Sequence, residues 1–311
     1  MDKNLRIVYM GTPEFAVTPL KHLYDNGYNI VAVVTMADKP IGRGQKMGES
    51  AVKKYAVSVG LPILQPEKLK DETFIENLKA LNSDLGIVVA FRMLPKIVWS
   101  MPRYGTFNLH SSLLPDYRGA APINWAMING DTTTGVTTFM LDEQIDTGDI
   151  IDYREVKIEE SDNFKSLHDK LMNVGAQLVE ESVKQIASET LKLKPQRENS
   201  QMRGAPKIFK ETCKIDWNND CRTIFNFVRG LSPYPTAWTD FKGAYGDQFS
   251  MKIYEVNIEF TPHNRAIGEV VTDNRTFVKV ACKDGYVLLK NIQIAGKKQM
   301  DIVSYLCGNK M

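Results

Sequence analysis

The sequence predicts an α/β protein in which a doubly wound, largely parallel sheet is followed by a small OB-like β-barrel domain. Apolar, β-branched runs alternate with segments of helical periodicity through the first half of the chain, as they do when helices join buried parallel strands. A polar stretch then interrupts this pattern. Short alternating runs with turn residues between them follow, which is typical of a small antiparallel barrel.

The first half of the chain accounts for five strands, the helices between them and one long closing helix. The helices begin near Pro13, Ser50, Asp71 and Gly119. Strands are predicted over 5–10, 29–35, 84–91, 106–110 and 135–141. Within residues 163–189 apolar side chains recur at helical spacing, which indicates a long helix with one buried stripe. The stripe consists of Phe164, Leu167, Leu171, Val174, Leu178 and Val183.

Three segments organise the chain: a first domain over 1–189, a linker over 190–206 and a second domain over 207–311. The linker is predicted because Lys, Pro, Gln, Arg, Asn and Ser dominate it, a composition too polar to bury. The second domain begins with a predicted helix over 217–230. Its strands are predicted over 237–241, 252–260, 268–271, 276–281 and 286–292.

The composition argues against several classes of protein. With 43% hydrophobic and 24% charged residues, the 311-residue chain resembles an ordinary globular protein rather than a disordered one. Its apolar runs are too short to span a bilayer, and Met1 leads into the first strand without a secretory leader, so we expect a cytoplasmic protein without membrane association. The four cysteines lack the close spacing of metal or disulfide frameworks and are expected to be packing residues or idle thiols.

The positive charge is concentrated in two places. The net charge of +2 divides into −3 for residues 1–199 and +5 for residues 200–311. In addition, the loop over 38–48 carries Lys39, Arg43 and Lys46 among glycines, and it follows a parallel strand at the edge where open α/β sheets bind ligands. Taken together, these features favour a polyanionic partner over a merely solvated loop.

Gly11 follows the first strand where a dinucleotide-binding turn would lie. The second and third glycines of such a turn are missing, so close approach to a pyrophosphate is not expected. We interpret Gly11 as a strand-to-helix turn, Thr12 as the N-cap and Pro13 as the first helical residue. A nicotinamide-linked oxidoreductase therefore ranks last among the candidate functions.

Asn108, His110 and Asp146 are the candidate reactive groups. Asn108 and His110 lie two positions apart at the end of a predicted strand, so both side chains point to one face. Asp146 lies in a polar loop after a later strand, with Asp142 and Asp149 as alternatives. A carboxamide, an imidazole and a carboxylate, without a nucleophilic serine or cysteine, suit direct attack of an amine on a carbonyl carbon. The combination predicts acyl transfer.

The residues around these positions match the motifs of a known family. The chain resembles the folate-dependent formyltransferases, nearly from end to end, in six segments. These segments cover residues 11–16, 38–44, 108–123, 141–150, 205–208 and 233–238. The resemblance implies the formyltransferase fold for the first domain and an OB-like domain that helps to hold tRNA. It also implies transfer of a formyl group from 10-formyltetrahydrofolate to the α-amine of methionine on initiator tRNA, by a cytoplasmic monomer without a metal.

The resemblance also assigns individual residues. Asn108, His110 and Asp146 match the catalytic trio. The implied folate contacts are Arg92, Met93, Leu94, Ser112, Leu113, Leu114, Pro115 and Asp142. The stretch over 92–94 would meet the pterin ring mainly through its backbone. Lys39, Arg43 and Lys46 would contact the tRNA, and Arg43 is the best candidate for a contact near the acceptor end.

A mechanism follows from this assignment as a hypothesis. Asn108 and His110 would donate hydrogen bonds to the formyl oxygen as it becomes negative. Asp146, acting through a water, would keep His110 in its donor form and move the amine's proton to the departing folate nitrogen. Two rivals stay open: a formyltransferase acting on a small amine, for which the basic loop and second domain are unnecessary, and a non-catalytic RNA-binding protein, which leaves the trio unexplained.

Overall fold

The computed structural model describes residues 4–41, 46–197, 202–242, 246 and 248–311, without the side chains of Ile41 and Lys46. Contacts divide the chain into two compact units. The first comprises Met1–Gly119, Thr134–Val156 and His168–Gly204, and the second comprises Ala120–Thr133, Lys157–Leu167 and Ala205–Met311. The domain boundaries expected from the sequence stay a prediction. Across the described residues, every helix is too short or too polar to cross a membrane.

The first unit is built on a seven-stranded sheet. The strands of the first part of the chain are β1 (Ile7–Gly11), β2 (Ile30–Val34), β3 (Lys39–Ile41), β4 (Lys46–Gly48), β5 (Ile63–Leu64), β6 (Leu85–Val89), β7 (Thr106–His110), β8 (Arg118–Gly119), β9 (Thr133–Met140), β10 (Ile150–Lys157) and β11 (Gly204–Ala205). The order in the large sheet is β10-β9-β7-β6-β1-β2-β5. β7, β6, β1, β2 and β5 run parallel, whereas β9 pairs with β7 in antiparallel fashion. The predicted largely parallel sheet is confirmed.

The core strands form where the sequence is continuously apolar. Every residue of β1 and β6 is buried, as expected for parallel strands covered on both faces. β10 was missed by the sequence analysis because most of its positions are exposed or half-buried, so its alternation is obscured by Asp152, Arg154 and Glu155. The β3–β4 hairpin and the two-residue strands β5, β8 and β11 were also missed, since such short pairings leave no periodicity to read.

Six of the helices in the described residues begin close to predicted positions, whereas the short helices over Lys96–Trp99 and Ile302–Leu306 were not predicted. The helices are α1 (Val17–Asp25), α2 (Ala51–Ser58), α3 (Glu72–Ala80), α4 (Lys96–Trp99), α5 (Pro122–Ile128), α6 (Phe164–Ala187), α7 (Cys221–Leu231) and α8 (Ile302–Leu306). The side chains of Ser50 and Asp71 cap α2 and α3. Each accepts a hydrogen bond from the backbone N–H of the residue three positions later, Lys53 and Phe74 respectively. The interpretation of Thr12 as an N-cap was wrong: Pro13 precedes a 3₁₀ turn over Glu14–Ala16, and the buried Thr12 hydroxyl has no partner among the described residues.

The second unit contains an antiparallel sheet. Its strands are β12 (Ala237–Lys242), β13 (Gln248–Glu259), β14 (Val270–Thr272), β15 (Val278–Cys282), β16 (Gly285–Ile294) and β17 (Met300–Asp301). They are ordered β12-β13-β16-β15-β14, with β17 added to β16. The sheet curls as a half-barrel around one apolar cluster, to which α7 contributes Ile224 and Val228. The structure thus confirms a small β-barrel-like domain after the parallel sheet.

Candidate functional site

Along β7, buried apolar residues alternate with Asn108 and His110, so the two kinds of side chain lie on opposite faces of the sheet. Phe107 and Leu109 are buried on one side, and Leu109 packs so closely that a Cβ on Gly175 of α6 would lie 2.8 Å from its Cδ2. Asn108 and His110 therefore point to the other face. Asn108 is half-buried, while only 6% of His110 is exposed. The apolar positions of β7 thus fix the direction of the two polar ones.

Asn108 presents a carboxamide that is available to a ligand. Within the described part of the chain its side chain makes no hydrogen bond, and the residue is half-buried. The residue opposite Asn108 in the antiparallel register is Phe139, and its ring packs edge-on against His110 with centroids 6.5 Å apart. An amide that offers both donors and an acceptor beside an apolar ring is suited to polarise a carbonyl oxygen.

His110 has one ring nitrogen committed to the backbone. Nε2 lies 2.9 Å from the carbonyl oxygen of Tyr117. Because a carbonyl can only accept, Nε2 carries a proton, and Nδ1 is the atom at which His110 gains or loses one. Nδ1 faces Asp146 and lies 3.9 Å from its Oδ2, which is too far for a direct hydrogen bond. The imidazole is therefore oriented for proton transfer at Nδ1.

Asp146 is held in an uncommon backbone conformation. Its φ angle is +57°, in the left-handed region, which aspartate tolerates better than most residues. Oδ2, the oxygen that faces His110, accepts a hydrogen bond of 2.9 Å from the backbone N–H of Gly119. The loop is also confined at Gly148, where an added Cβ would lie 1.7 Å from the Met140 carbonyl oxygen. The structure therefore brings Asp146 and His110 together.

Asp142 and Thr147 brace the same loop. The hydroxyl of Thr147 donates to the Asp142 carboxylate, with Oγ1 2.8 Å from Oδ1 and 2.9 Å from Oδ2. Oδ1 also accepts from the backbone N–H of Gln144 at 2.9 Å. Asp142 is exposed, so its carboxylate can still meet a ligand while it shapes the turn.

The stretch from Ser112 to Pro115 forms a fixed turn after β7. The buried Ser112 hydroxyl donates to the Asp116 carbonyl oxygen at 2.6 Å and is therefore engaged within the turn. Thr137 of β9 supports the turn from below, since its hydroxyl donates to the Ser112 carbonyl at 2.7 Å and lies 3.2 Å from the Leu114 amide. A ligand would meet this stretch through backbone groups and the half-buried Leu113 and Pro115.

A cavity of about 590 Å³ lies beyond the end of β6, the parallel neighbour of β7. Leu69, Lys70 and residues 92–97 line it. Met93 is 69% exposed, whereas the Arg92 guanidinium is occupied with the backbone carbonyls of Pro66 and Glu67. An ion pair of 2.6 Å between Lys96 and Glu143 joins the cavity rim to the loop that carries Asp146. Asn108, His110 and Asp146 are not among the residues that line this cavity.

The basic loop is only partly described. β3 and β4 form its arms, Lys39 is exposed, and Arg43 and the Lys46 side chain lie outside the described residues. Lys53, which flanks the loop, pairs with Asp38 and, at 2.9 Å, with Glu49. The hydrogen bond from Lys53 lowers the pKa of the Asp38 carboxyl. The charge of Lys53 is thus neutralised locally, which the sequence did not reveal.

The second unit exposes a basic and aromatic surface, which we call the 207–238 patch. It consists of Lys207, Phe209, Lys210, Lys214 and Trp238. The ammonium nitrogens of Lys210 and Lys214 lie 5.8 and 5.0 Å from the centre of the Trp238 ring, and Lys207 lies 5.5 Å from that of Phe209. Cations interleaved with aromatic faces are a common surface for nucleic-acid backbones and bases.

The structure also pairs two cysteines that are distant in sequence. The Sγ atoms of Cys221 and Cys282 lie 3.1 Å apart, and Asp284 Oδ1 is 3.9 Å from the Cys282 sulfur. The three residues place possible ligand atoms within 4.8 Å of one another. Burial raises the pKa of the Cys221 thiol, and both thiols point at backbone carbonyls. The two thiols are buried side by side, and the 61 positions between them in the sequence explain why their spacing did not reveal the pair.

Several groups that shape the site could not have been named from the sequence. The Tyr117 carbonyl and the Gly119 amide contribute only backbone atoms, so their residue types carry no signal. Gln196 contacts the Asp146 loop from within the predicted linker, where nothing in the polar composition distinguished it. For Tyr117 and Gly119, only their position within the 108–123 motif could have indicated a role in the site.

The chain matches two protein-family models that together cover most of its length. The family described as "Formyl transferase" matches residues 4–183, and "Formyl transferase, C-terminal domain" matches residues 207–310. A relative from Parabacteroides distasonis, named methionyl-tRNA formyltransferase, is 56% identical over 99% of this chain and 97% of its own length. Relatives of the same name from Phocaeicola vulgatus and Flavobacterium johnsoniae are 57% and 50% identical, each over 98% of this chain and 96% of their own length.

Two solved structures share the fold. HypX from Aquifex aeolicus in complex with tetrahydrofolic acid matches with a TM-score of 0.65 and 19% identity over 97% of this chain. The match covers 47% of HypX, so this chain spans about half the length of that protein. An N-formyltransferase from Helicobacter canadensis, in complex with folinic acid and dTDP-3-aminofucose, gives 0.66 and 19% over 92% of this chain and 98% of that one.

Proposed function

The chain belongs to the formyl transferase family, and from this premise we propose that it transfers the formyl group of 10-formyltetrahydrofolate to the α-amino group of methionyl initiator tRNA. The products would be N-formylmethionyl-tRNA and tetrahydrofolate, for use in translation initiation in the cytoplasm. The observation that carries the proposal is the grouping of Asn108, His110 and Asp146 at one end of the sheet. Relatives at 50–57% identity over nearly the whole chain support the choice of substrate.

Asn108 is proposed to stabilise negative charge on the formyl oxygen. Its carboxamide is unpaired among the described residues and sits on the same face as His110, so a donor is ready without breaking an existing hydrogen bond. A preorganised donor of this kind typically contributes roughly 100- to 1,000-fold to the rate. Replacing Asn108 by alanine should therefore lower kcat far more than it raises the KM for either substrate.

The sequence suggested Asp146 for this step, but we propose that His110 carries the proton that the attacking amine loses, because the contact of Nε2 with Tyr117 directs Nδ1 to this task. With Nε2–H donated to Tyr117, a neutral His110 offers the lone pair of Nδ1 to the amine proton. Once protonated, Nδ1–H can donate to the formyl oxygen or pass the proton to the folate nitrogen as the old C–N bond breaks. Asp146 at 3.9 Å stabilises this cationic state of His110. General acid–base catalysis of this kind contributes roughly 100- to 10,000-fold.

The folate would bind along the ends of β6 and β7. Arg92, Met93 and Leu94 line the 590 Å³ cavity, whose size is typical of small-ligand pockets. Because the Arg92 side chain is occupied, its contribution would come from the backbone. The turn over 112–115 and Asp142 would complete the contacts on the side of the reactive groups. All proposed chemical steps use side chains and backbone groups of this chain, acting as a monomer.

The tRNA would be held by the basic elements. Lys39, Arg43 and Lys46 of the loop, together with the 207–238 patch, supply cations and aromatic faces for phosphates and bases. Binding that neutralises phosphates releases counterions, so the KM for tRNA should rise steeply with salt while the KM for folate changes little. Arg43→Ala should raise the KM for tRNA selectively.

The test is to incubate the protein with 10-formyltetrahydrofolate and either methionyl-tRNA or a small primary amine. We expect equal amounts of formylmethionyl-tRNA and tetrahydrofolate in the first mixture and negligible product in the second. Asn108→Ala should abolish most turnover, whereas Asn173→Ala on the exposed side of α6 serves as the matched control. Efficient formylation of the small amine, or an Asn108→Ala protein as active as the control, would overturn the proposal.

A further inference from the structure

We propose that Gln196 is a positioning residue for the reaction: it holds the loop of Asp146 so that the carboxylate faces Nδ1 of His110. The inference deepens the proposed function and rests on it. Gln196 lies in the segment predicted as a linker, and nothing in its residue type indicated a role. Its contacts in the first unit indicate one.

Gln196 uses its whole carboxamide to join two segments. Nε2 donates to the backbone carbonyls of Asp146 at 2.9 Å and of Gly148 at 2.8 Å. Oε1 accepts from the Arg118 guanidinium, with Nε at 3.1 Å and Nη2 at 2.7 Å. Both N–H groups and both lone pairs of the amide are thus satisfied, and two of the donors are charged. Such a saturated side chain has one orientation rather than several.

These contacts close a ring around the reactive carboxylate. Arg118 precedes Gly119, whose amide donates to Asp146 Oδ2 at 2.9 Å. Gln196 links Arg118 back to the Asp146 carbonyl. The backbone of Asp146 and one of its carboxylate oxygens are therefore tied to the same short segment by two independent routes. Because Oδ2 also faces His110, the ring determines the distance between the two reactive groups.

The loop needs such support because its conformation is unfavourable alone. Asp146 has φ +57°, and non-glycine residues in the left-handed region persist where their surroundings hold them. Gln144 and Ile145 are exposed, so packing does little to fix the loop from outside. The two carbonyls that Gln196 binds belong to Asp146, the residue with positive φ, and to Gly148 two positions later. Loss of these hydrogen bonds would let the turn relax toward solvent.

Gln196 can serve as a support because its own segment is anchored elsewhere. Lys194, two residues before it, exchanges two backbone hydrogen bonds with Ile150 at the start of β10, at 2.8 and 2.9 Å. β10 belongs to the large sheet. The position of Gln196 therefore does not depend on the loop that it holds.

The test is a double-mutant cycle of Gln196→Ala and Asp146→Asn, measured by single-turnover formylation of methionyl-tRNA. Asparagine tolerates the left-handed conformation and keeps an acceptor for Gly119, so Asp146→Asn removes charge without removing the turn. We expect Gln196→Ala to lower the rate roughly 10- to 100-fold, the cost of misplacing a reacting group by about 1 Å. In the Asp146→Asn background the same change should cost less than about twofold, because the two act as one unit.

Two further measurements separate positioning from mere stability. The KM for both substrates should stay within about twofold while kcat falls, because Gln196→Ala removes no substrate contact. Gln196→Glu keeps the size and the Arg118 contact but replaces the NH2 group, which donates to both carbonyls, with one carboxylate oxygen that repels them, and it should lose as much activity. Gln185→Ala on α6, whose side chain makes no hydrogen bond within the described ranges, is the matched control.

The outcomes distinguish the two proposals. If the wild-type protein formylates tRNA but Gln196→Ala and Gln196→Glu match the Gln185→Ala control, the positioning role is wrong and the proposed function stands. An equal fold-loss in both backgrounds of the cycle would also reject positioning through Asp146. If the wild-type protein itself fails to formylate methionyl-tRNA, the proposed function is rejected.

Discussion

Replacing Gly148 by alanine should lower kcat/KM far more than its moderate cost in stability would explain. The size of the effect follows from one distance in the structure. A Cβ on Gly148 would lie 1.7 Å from the Met140 carbonyl oxygen and 2.9 Å from its carbon. Ordinary contact between these atoms needs more than about 3 Å, so the loop must move by more than about 1 Å. The obstacle is strand backbone, whereas the loop is exposed at Gln144 and Ile145. The loop will therefore yield and will carry Asp146 with it.

A displacement of about 1 Å at a reacting group costs roughly 100-fold in kcat/KM. The stability cost should be about 1–3 kcal/mol, because the moved segment is solvated and the sheet stays intact. Gly60→Ala is the matched control, since Gly60 has φ +71° and no neighbour within 4 Å of an added Cβ. It should lose comparable stability and keep full turnover. A Gly148→Ala protein with kcat/KM within about threefold of wild type would refute the reasoning.

Three further predictions use other parts of the chain. Because burial raises the pKa of the Cys221 thiol, iodoacetamide should label exposed Cys307 in the native protein and Cys221 only after unfolding; mass spectrometry of the labelled peptides decides this. Burial opposes ionisation of Glu180, yet hydrogen bonds such as that from Lys184 lower its pKa below 4.5. The ionised Glu180 therefore stabilises the folded state above pH 4.5, and this contribution is lost as the pH falls through the folded-state pKa. Glu180→Gln should lower the denaturation midpoint at neutral pH and leave it unchanged in acid. Lys210→Ala should raise the KM for tRNA and reduce its dependence on the logarithm of salt concentration by about one unit.

The sheet and the reactive face could be predicted because each depends on periodicity. The buried runs of β1 and β6 admit few other structures, and the two-residue spacing of Asn108 and His110 fixes a shared face once β7 is a strand. Thr106–His110 was predicted with its observed bounds. The signal was strong there because buried Phe107 and Leu109 leave only one way to orient the strand.

The supporting contacts could not be predicted, because they depend on backbone atoms and on pairs far apart in sequence. Gln196 reaches Asp146 across 50 positions, and Cys221 meets Cys282 across 61. The sequence predicted that the stretch over 92–94 would meet a ligand mainly through its backbone, but it did not show that the Arg92 guanidinium binds the carbonyls of Pro66 and Glu67. In each case the residue type allowed several partners, and only the tertiary structure selected one.

The residues that orient the reacting groups differ from those proposed to bind tRNA, and kinetic measurements can distinguish the two sets. His110 is oriented by a backbone carbonyl, and Asp146 by a backbone amide and the amide of Gln196, so the reacting atoms are fixed before substrate arrives. The cations proposed to hold tRNA belong to the basic loop and to the 207–238 patch, and none of them is part of this hydrogen-bonded framework. Changes to the residues that orient His110 and Asp146 should therefore lower kcat with little effect on KM. Changes to the basic surfaces should raise the KM for tRNA with little effect on kcat. A variant of the 207–238 patch that lowered the single-turnover rate at saturating tRNA would show that the two functions are coupled and that the tRNA itself helps to assemble the site.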